Sequence, residues 1–242
     1  CVGRKNIFNI KLASAALFMV LVPGFIVTTN IRLVINLPVL YSYGFDQRDI
    51  PASTGIDRND LLLASRQIRD YFNGEVDSIQ RNVTQYGYSR DLYNDRELSH
   101  MRDVKEMVRT IYRIQQISGV YIVMFAAIGI AVVGRAFLVR LAWSIGLGGV
   151  ATFGLVMIVM TASIVEFDKL FLVFHEIGFA NDLWQLDPQR DNLIAMYPER
   201  FFFDATMLVA LLTIAEACVA SAPLYFLWRK PPKIREPEAV TE

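Results

Sequence analysis

The sequence predicts an all-α membrane protein with four transmembrane helices, both termini in the cytoplasm, and a mixed extracytoplasmic subdomain. Hydrophobic residues make up 54% of the 242 residues, which exceeds the usual share in soluble domains. The charged side chains avoid four apolar runs, each close to the roughly 20 residues that a helix needs to cross a bilayer. The predicted spans are residues 7–28, 114–134, 141–165 and 205–228.

The first run follows Arg4 and Lys5, and its apolar part is long with no small-x-small cleavage site behind it. This pattern favours a retained anchor over a cleaved signal peptide.

The third run contains Gly-rich sequence at 146–149. Because this stretch lies inside an apolar helix, it favours close helix packing over a nucleotide-binding loop. The fourth run holds Glu216, a carboxylate that is costly in lipid and that we expect to face the bundle interior or a partner subunit.

Basic residues near the ends of the predicted spans indicate the orientation of the chain. They precede the first span, lie in the short link between the second and third at 135–140, and follow the fourth at 229–235. Since short basic segments stay in the cytoplasm, both termini are expected there, with residues 30–113 and 166–204 outside. Residues 1–229 then form a single integral membrane domain. The tail 230–242 is rich in proline and charge and is expected to be a disordered cytoplasmic tail.

The two outer segments have local patterns of their own. Residues 57–72 have apolar side chains at helical spacing, and Asn73-Gly74 ends that pattern. Residues 75–95 favour a short strand pair. From Asp95, which can act as an N-cap, helical spacing continues into the second span, so one long helix is predicted. The segment 166–204 is aromatic and is expected to lie at the level of the lipid headgroups.

The chain has two histidines, His100 in ELSHMRDVK and His175 in FHEIGFANDLW. The predicted topology places both on the extracytoplasmic side. Glu97 and Asp103 lie three residues before and after His100 and therefore share its helix face. A carboxylate beside an imidazole can fix its tautomer and raise its basicity, so the pair is a candidate for acid and base chemistry.

Several other classes of site fit the sequence poorly. A lone histidine in a polar segment is most often a surface residue. His175-Glu176 begins like HExxH, but Phe179 occupies the second histidine position, and no spacing supports zinc, so no metal is expected. The chain has no GxSxG nucleophile elbow. Two cysteines provide no disulfide framework, and 24 basic against 24 acidic residues indicate no nucleic-acid partner.

The segments ELSHMRDVK and FHEIGFANDLWQLDPQRDNLIAMYPERFF resemble the signature segments of the lipoprotein intramolecular transacylase family of bacterial integral membrane proteins. The resemblance runs from the first to the fourth predicted span. It implies a plasma-membrane enzyme with its site on the extracytoplasmic side, acting on diacylglyceryl lipoproteins among membrane lipids, without a cofactor. It also implies that an acyl chain moves from the diacylglyceryl group to the α-amine of the N-terminal cysteine. The family's two essential histidines correspond to His100 and His175.

The implied reaction assigns roles to further residues. One histidine would take the amine proton and the other would protonate the leaving glycerol oxygen. His100 is favoured as the base because Glu97 and Asp103 flank it. The candidate donors to the oxyanion are Arg102, Asn181 and Trp184. Two rival interpretations remain: a non-catalytic accessory subunit of a larger membrane complex, and a transporter or channel, which a single buried charge and the lack of repeats make weak.

Overall fold

The structure is a computed structural model and describes residues 2–229, so the tail prediction for 230–242 lies outside the described residues. It is mostly helical, with one small hairpin. The elements are α1 Val2–Ile35, α2 Pro38–Gln47, α3 Ile50–Thr54, α4 Arg58–Asn73, β1 Asn82–Gln85, β2 Tyr88–Asp91, α5 Asp95–Val133, α6 Phe137–Gly178, α7 Asn192–Met196 and α8 Glu199–Arg229.

Three helical stretches in the described residues are long and apolar enough to cross a membrane: 13–35, 95–178 and 199–229. The middle stretch consists of α5 and α6, joined by a 3-10 turn at Gly134–Ala136. Phe137 of α6 lies 5.4 Å from the ring of Phe125, so α6 turns back along α5. The four long helices coincide with the four predicted spans, while the number and direction of the crossings remain predictions.

Each long helix extends beyond its predicted span, because the apolar run defines only the part suited to lipid. The largest difference is in α6. The predicted third span ends at residue 165, but the helix itself does not end there. Glu166 has non-helical angles (φ −157°, ψ 71°), but the helix resumes after this kink and ends at Gly178. The extension carries His175.

Glycines let α6 approach its neighbours closely, as predicted. A Cβ on Gly149 would lie 2.9 Å from the carbonyl oxygen of Ala217 in α8, and one on Gly148 would lie 2.8 Å from Cβ of Val22 in α1. Near this interface, the Asn30 amide of α1 donates to Glu216 Oε2 at 2.9 Å. Glu216 itself lies on the exposed surface of α8, so it is tied to the bundle interior without being enclosed by it.

The subdomain between α1 and α5 combines helices with a hairpin. The predicted helix α4 is confirmed: the Asp57 carboxylate caps it by accepting from Asn59 N at 2.8 Å, and Gly74 ends it at φ 80°. The predicted strand pair is confirmed as antiparallel β1 and β2. Helices α2 and α3 were not predicted. A buried cluster joins this subdomain to α5, α7 and α8, including Phe45, Ile56, Leu61, Leu92, Tyr93, Met101 and Met196.

Helix α5 is one continuous helix from the subdomain into the second span, as predicted. Its N-cap is Asn94 instead of the predicted Asp95. The Asn94 side chain accepts from Arg96 N at 3.0 Å and from Glu97 N at 3.1 Å. This cap fixes the start of the helix and therefore the direction in which His100, six residues later, projects.

Candidate active site

The two histidines meet. The ring centroids of His100 on α5 and His175 on α6 lie 6.2 Å apart, with their planes inclined by 32°. Both side chains are buried, with 7% and 8% of their surface exposed. They come together because α6 continues past its kink and returns alongside the N-terminal part of α5. One reacting group can therefore touch both imidazoles.

Aromatic rings surround the pair. Phe171 lies 4.3 Å and Trp184 5.1 Å from the ring of His175. Phe179 contacts both histidines, at 5.0 Å from His100 and 5.5 Å from His175. This cage excludes water from both imidazoles, and a low-polarity environment disfavours their charged form.

Both imidazoles lie outside the predicted membrane spans, and both are biased towards the neutral form. Burial lowers the pKa of His100 to about 4, with His175 adding to the effect and the Asp103 charge opposing it. Burial also lowers the pKa of His175, against the opposing effect of a hydrogen bond to the Phe171 carbonyl. At neutral pH the site therefore contains two neutral imidazoles.

The hydrogen bond of His175 determines its tautomer. His175 Nδ1 lies 2.7 Å from the Phe171 carbonyl oxygen, one helical turn earlier. A carbonyl oxygen only accepts, so Nδ1 donates and carries the proton. In the neutral ring Nε2 then has the lone pair, as a general base requires.

His100 differs because its Nδ1 atom is buried without a hydrogen-bond partner. Buried nitrogen atoms of this kind are uncommon, since burial without a partner costs about 1–3 kcal/mol. A group that enters the site from outside can satisfy this nitrogen. The unpartnered atom is consistent with a site that is complete only when a substrate is bound.

Glu97, predicted to support His100, instead secures the start of α5. Its carboxylate accepts from Asn94 N at 2.8 Å, completing a capping box, and from Leu193 N of α7. Both oxygens are directed to backbone N–H groups, although helical spacing places Glu97 on the His100 face. The capping geometry draws the carboxylate back towards the helix end. Glu97 therefore links α5 to α7.

Asp103 and Asn181 were predicted separately, and the structure joins them. Asn181 Nδ2 donates to Asp103 Oδ2 at 2.9 Å, while Asn181 Oδ1 accepts from Leu183 N at 3.0 Å. Arg96 adds a second tie, from its guanidinium to the carbonyl of Asp182 at 2.8 Å. These bonds attach the loop after α6 to α5 and so hold the two histidine-bearing helices in register.

The other two predicted donors differ in their placement. Trp184 lies against His175, within the cage. Arg102 is exposed and donates to Ser99 Oγ at 2.7 Å on its own helix. The structure therefore does not bring Arg102 to the imidazole pair. Among the described residues, no group of three or more His, Cys, Asp or Glu side chains could hold a metal ion.

Sequence reasoning missed the aromatic wall and the carbonyl that orients His175. Phe171, Phe174 and Phe179 were interpreted as headgroup-level residues and not as contacts of a histidine. The spacing offered one signal: in a helix, the carbonyl four residues earlier is within reach of a side chain. That signal depends on α6 continuing to His175, whereas the predicted third span ended at residue 165.

Apolar helices that enclose a pair of buried histidines define a membrane-integral protein with a candidate acid–base site. The family model for the lipoprotein intramolecular transacylase Lit matches residues 16–202. The chain therefore belongs to the Lit family.

The sequence identity between this chain and individual proteins is 30% or lower in the comparisons that follow. An uncharacterised protein from Aquifex aeolicus (strain VF5) is 30% identical over 121 residues, which are 50% of this chain and 51% of that protein. The match thus spans about half the length of this relative. The in meso structure of Lit from Bacillus cereus is similar with a TM-score of 0.75 at 19% identity, covering 92% of this chain and 97% of that one. A structure of the same protein with a histidine replaced by arginine has a TM-score of 0.63 at 21% identity and covers 94% and 97% of the two chains.

Proposed function

We propose that this protein is a membrane acyltransferase that acts on diacylglyceryl lipoproteins. It moves one acyl chain from the glycerol to the α-amine of the N-terminal cysteine and leaves an N-acyl lyso-form lipoprotein. The observation that carries the proposal is the buried histidine pair, with ring centroids 6.2 Å apart, in a chain of the Lit family. The reaction takes place at the extracytoplasmic face of the plasma membrane.

The bond changes require one proton to be removed and one to be delivered. The amine nitrogen attacks the ester carbonyl carbon, a C–N bond forms, and the C–O bond to glycerol breaks. The amine loses a proton and the leaving glycerol oxygen gains one, so no cofactor enters the balance. Two neutral imidazoles side by side suit such a transfer.

We assign the base role to His175. Its Nδ1 is held by the Phe171 carbonyl, which leaves Nε2 to take the amine proton. The sequence favoured His100 as base because of Glu97 and Asp103, but the Glu97 oxygens accept from Asn94 and Leu193, and Asp103 accepts from Asn181. Without those carboxylates as partners, His100 is better suited to relay a proton to the leaving oxygen.

The developing oxyanion needs a donor near the imidazoles. Trp184, with its ring 5.1 Å from that of His175, is the best placed of the three predicted donors. Asn181 supports the site through its bond to Asp103, and Arg102 is outside it. Donor and acceptor belong to one molecule, so orientation by the cage supplies much of the rate, up to about 7–11 kcal/mol in favourable cases.

Apolar side chains beside the pair suit a lipid-anchored substrate. Phe174 and Ile177, on either side of His175 in α6, are 50% and 82% exposed. Such an exposed apolar surface beside a buried polar pair favours contact with acyl chains over contact with water. A diacylglyceryl group can thus reach the imidazoles while its chains remain in the bilayer.

The test is mass spectrometry of lipoproteins from a bacterial host that lacks all N-acylation. The wild-type protein should produce N-acyl lyso-form lipoprotein, and His100→Ala and His175→Ala should each abolish it. Glu176→Gln, beside His175 on the exposed surface, is the matched control and should retain activity. If the wild type is present in the membrane and forms no product, the proposal fails and an accessory role in a larger complex gains support.

A further inference from the structure

A second polar site lies between the C-terminal end of α1 and the middle of α5. It is an open cleft of about 850 Å³. Tyr112, on its wall, is twelve positions beyond His100 on α5, about 18 Å along the helix axis. The cleft is therefore separate from the histidine pair, and its function does not depend on the proposed reaction.

The cleft contains one cation and one anion that do not neutralise each other. Arg32 and Glu75 both line it. Within the part of the chain that the structure describes, neither side chain forms an ion pair. Arg32 Nη1 donates to the Gln115 amide oxygen at 3.0 Å, and its guanidinium stacks on Tyr112 at 4.4 Å. A guanidinium has five N–H donors, so most of those of Arg32 are free for an anion.

Neutral amides hold this arrangement in place. Asn36 Nδ2 donates to the Tyr112 hydroxyl at 2.9 Å, and Asn73 Nδ2 donates to Asn36 Oδ1 at 2.6 Å. Glu75 follows Gly74, the C-cap of α4, and its backbone N–H donates to the carbonyl of Asp70 at 2.8 Å. The cleft is thus a polar surface held in place by hydrogen bonds, and it presents the guanidinium of Arg32 and the carboxylate of Glu75 without an ion pair between them.

The depth of the cleft indicates what approaches it. The predicted first span ends at residue 28 and the second begins at residue 114, so Arg32 and Tyr112 lie at the membrane–water boundary. The phosphates of phospholipids occupy that level, and arginine is well suited to bind them. A bare phosphate does not account for Glu75, because a carboxylate repels an anion.

We propose that this cleft binds the headgroup of a phospholipid that carries a primary ammonium, with the phosphate on Arg32 and the ammonium on Glu75. A phosphoethanolamine headgroup has this combination of charges. The ammonium can donate hydrogen bonds to the carboxylate, whereas the quaternary ammonium of a choline headgroup cannot. A glycerol headgroup provides the phosphate without the cation.

The test is native mass spectrometry of the full chain in detergent with an equimolar mixture of phosphatidylethanolamine, phosphatidylglycerol and phosphatidylcholine of identical acyl chains. Phosphatidylethanolamine should be enriched on the wild type. Arg32→Gln should weaken its binding about tenfold, the effect of losing one charge-assisted contact. Arg32→Lys, which keeps the charge, should retain most of the binding. Glu75→Gln should remove the preference for phosphatidylethanolamine over phosphatidylglycerol.

Matched controls separate this site from general charge effects. Arg113→Gln removes an exposed arginine at the same depth outside the cleft, and Asp77→Asn removes an exposed carboxylate near Glu75 in sequence; both should bind like the wild type. If Arg32→Gln and Arg113→Gln lose phosphatidylethanolamine binding equally, the cleft is not the binding site. If the wild type binds the three lipids equally, Glu75 does not recognise the primary ammonium. Efficient displacement by soluble phosphoethanolamine would overturn a lipid ligand in favour of a free one.

Discussion

At the scale of single residues, the environment of the two imidazoles determines what they can do. The cage keeps both rings neutral, and the Phe171 carbonyl gives His175 one defined tautomer. The proposed reaction needs a neutral base, because the α-amine of its substrate, with a reference pKa of about 8, would lose a proton during attack. The site thus combines a lone pair on one ring with an unsatisfied nitrogen on the other.

The coupling between the rings is testable by titration. His175→Ala should raise the pKa of His100 from about 4 towards the ordinary 6.5, because water enters the space and the neighbouring imidazole is removed. The measurement is NMR of the His100 Cε1 proton across pH. Glu176→Gln should leave the titration of His100 unchanged. A pKa of His100 that stays at about 4 in His175→Ala would refute the coupling.

The lowered pKa of His100 also affects stability. Between pH 6.5 and about 4 the unfolded chain binds a proton that the folded site does not, so the free energy of unfolding falls as the pH falls through this window. His100 alone should contribute a loss of about 2 kcal/mol between pH 7 and pH 5. Thermal unfolding in detergent should show a smaller loss for His100→Gln than for the wild type. Identical losses in the two proteins would contradict this account.

At the scale of elements, capping bonds and close helix contacts position the histidines. Glu97 joins α5 to α7 through two backbone N–H groups, so its contribution is to stability. Glu97→Ala should lower the free energy of unfolding by about 1–3 kcal/mol. The kcat of Glu97→Ala should stay close to wild type at temperatures where it is folded. A large loss of kcat with normal stability would instead indicate direct support of His100.

The interface of α6 and α8 gives a second prediction at this scale. Gly149→Ala should destabilise the protein by about 1–3 kcal/mol, because the new Cβ meets the Ala217 carbonyl oxygen at 2.9 Å. Gly154→Ala is the matched control, since nothing lies within 4 Å of its Cβ position. It should be neutral or slightly stabilising through helix propensity. Comparable melting temperatures for the two variants would show that the close contact is unimportant.

At the scale of the whole molecule, the helices and strands that are encoded by a short stretch of sequence could be predicted. The apolar runs located the long helices, Asp57 and Gly74 bounded α4, and a short strand pair was expected within residues 75–95. The meeting of His100 and His175 was also expected, because topology and family resemblance placed them together. Each of these inferences depends on periodicity, capping or a matched motif, and none requires knowledge of a distant contact.

The rest depends on contacts between segments far apart in the chain. The role of Glu97 depends on Leu193 in α7, and Asp103 depends on Asn181 after α6. No local pattern shows that these carboxylates are already engaged. The kink at Glu166 looked like the end of a helix because charge and aromatic residues begin there. The base therefore could not be assigned from the residues that flank His100.

In the proposed reaction, the two imidazoles move an acyl chain within one substrate molecule. The direct measurement uses purified protein and two synthetic diacylglyceryl peptides, one with isotope-labelled acyl chains and one of different peptide mass without label. Mass spectrometry should find N-acyl lyso-product in which the label stays on its original peptide, and none with His100→Ala or His175→Ala. Label on the other peptide, or full activity in either histidine variant, would contradict the account.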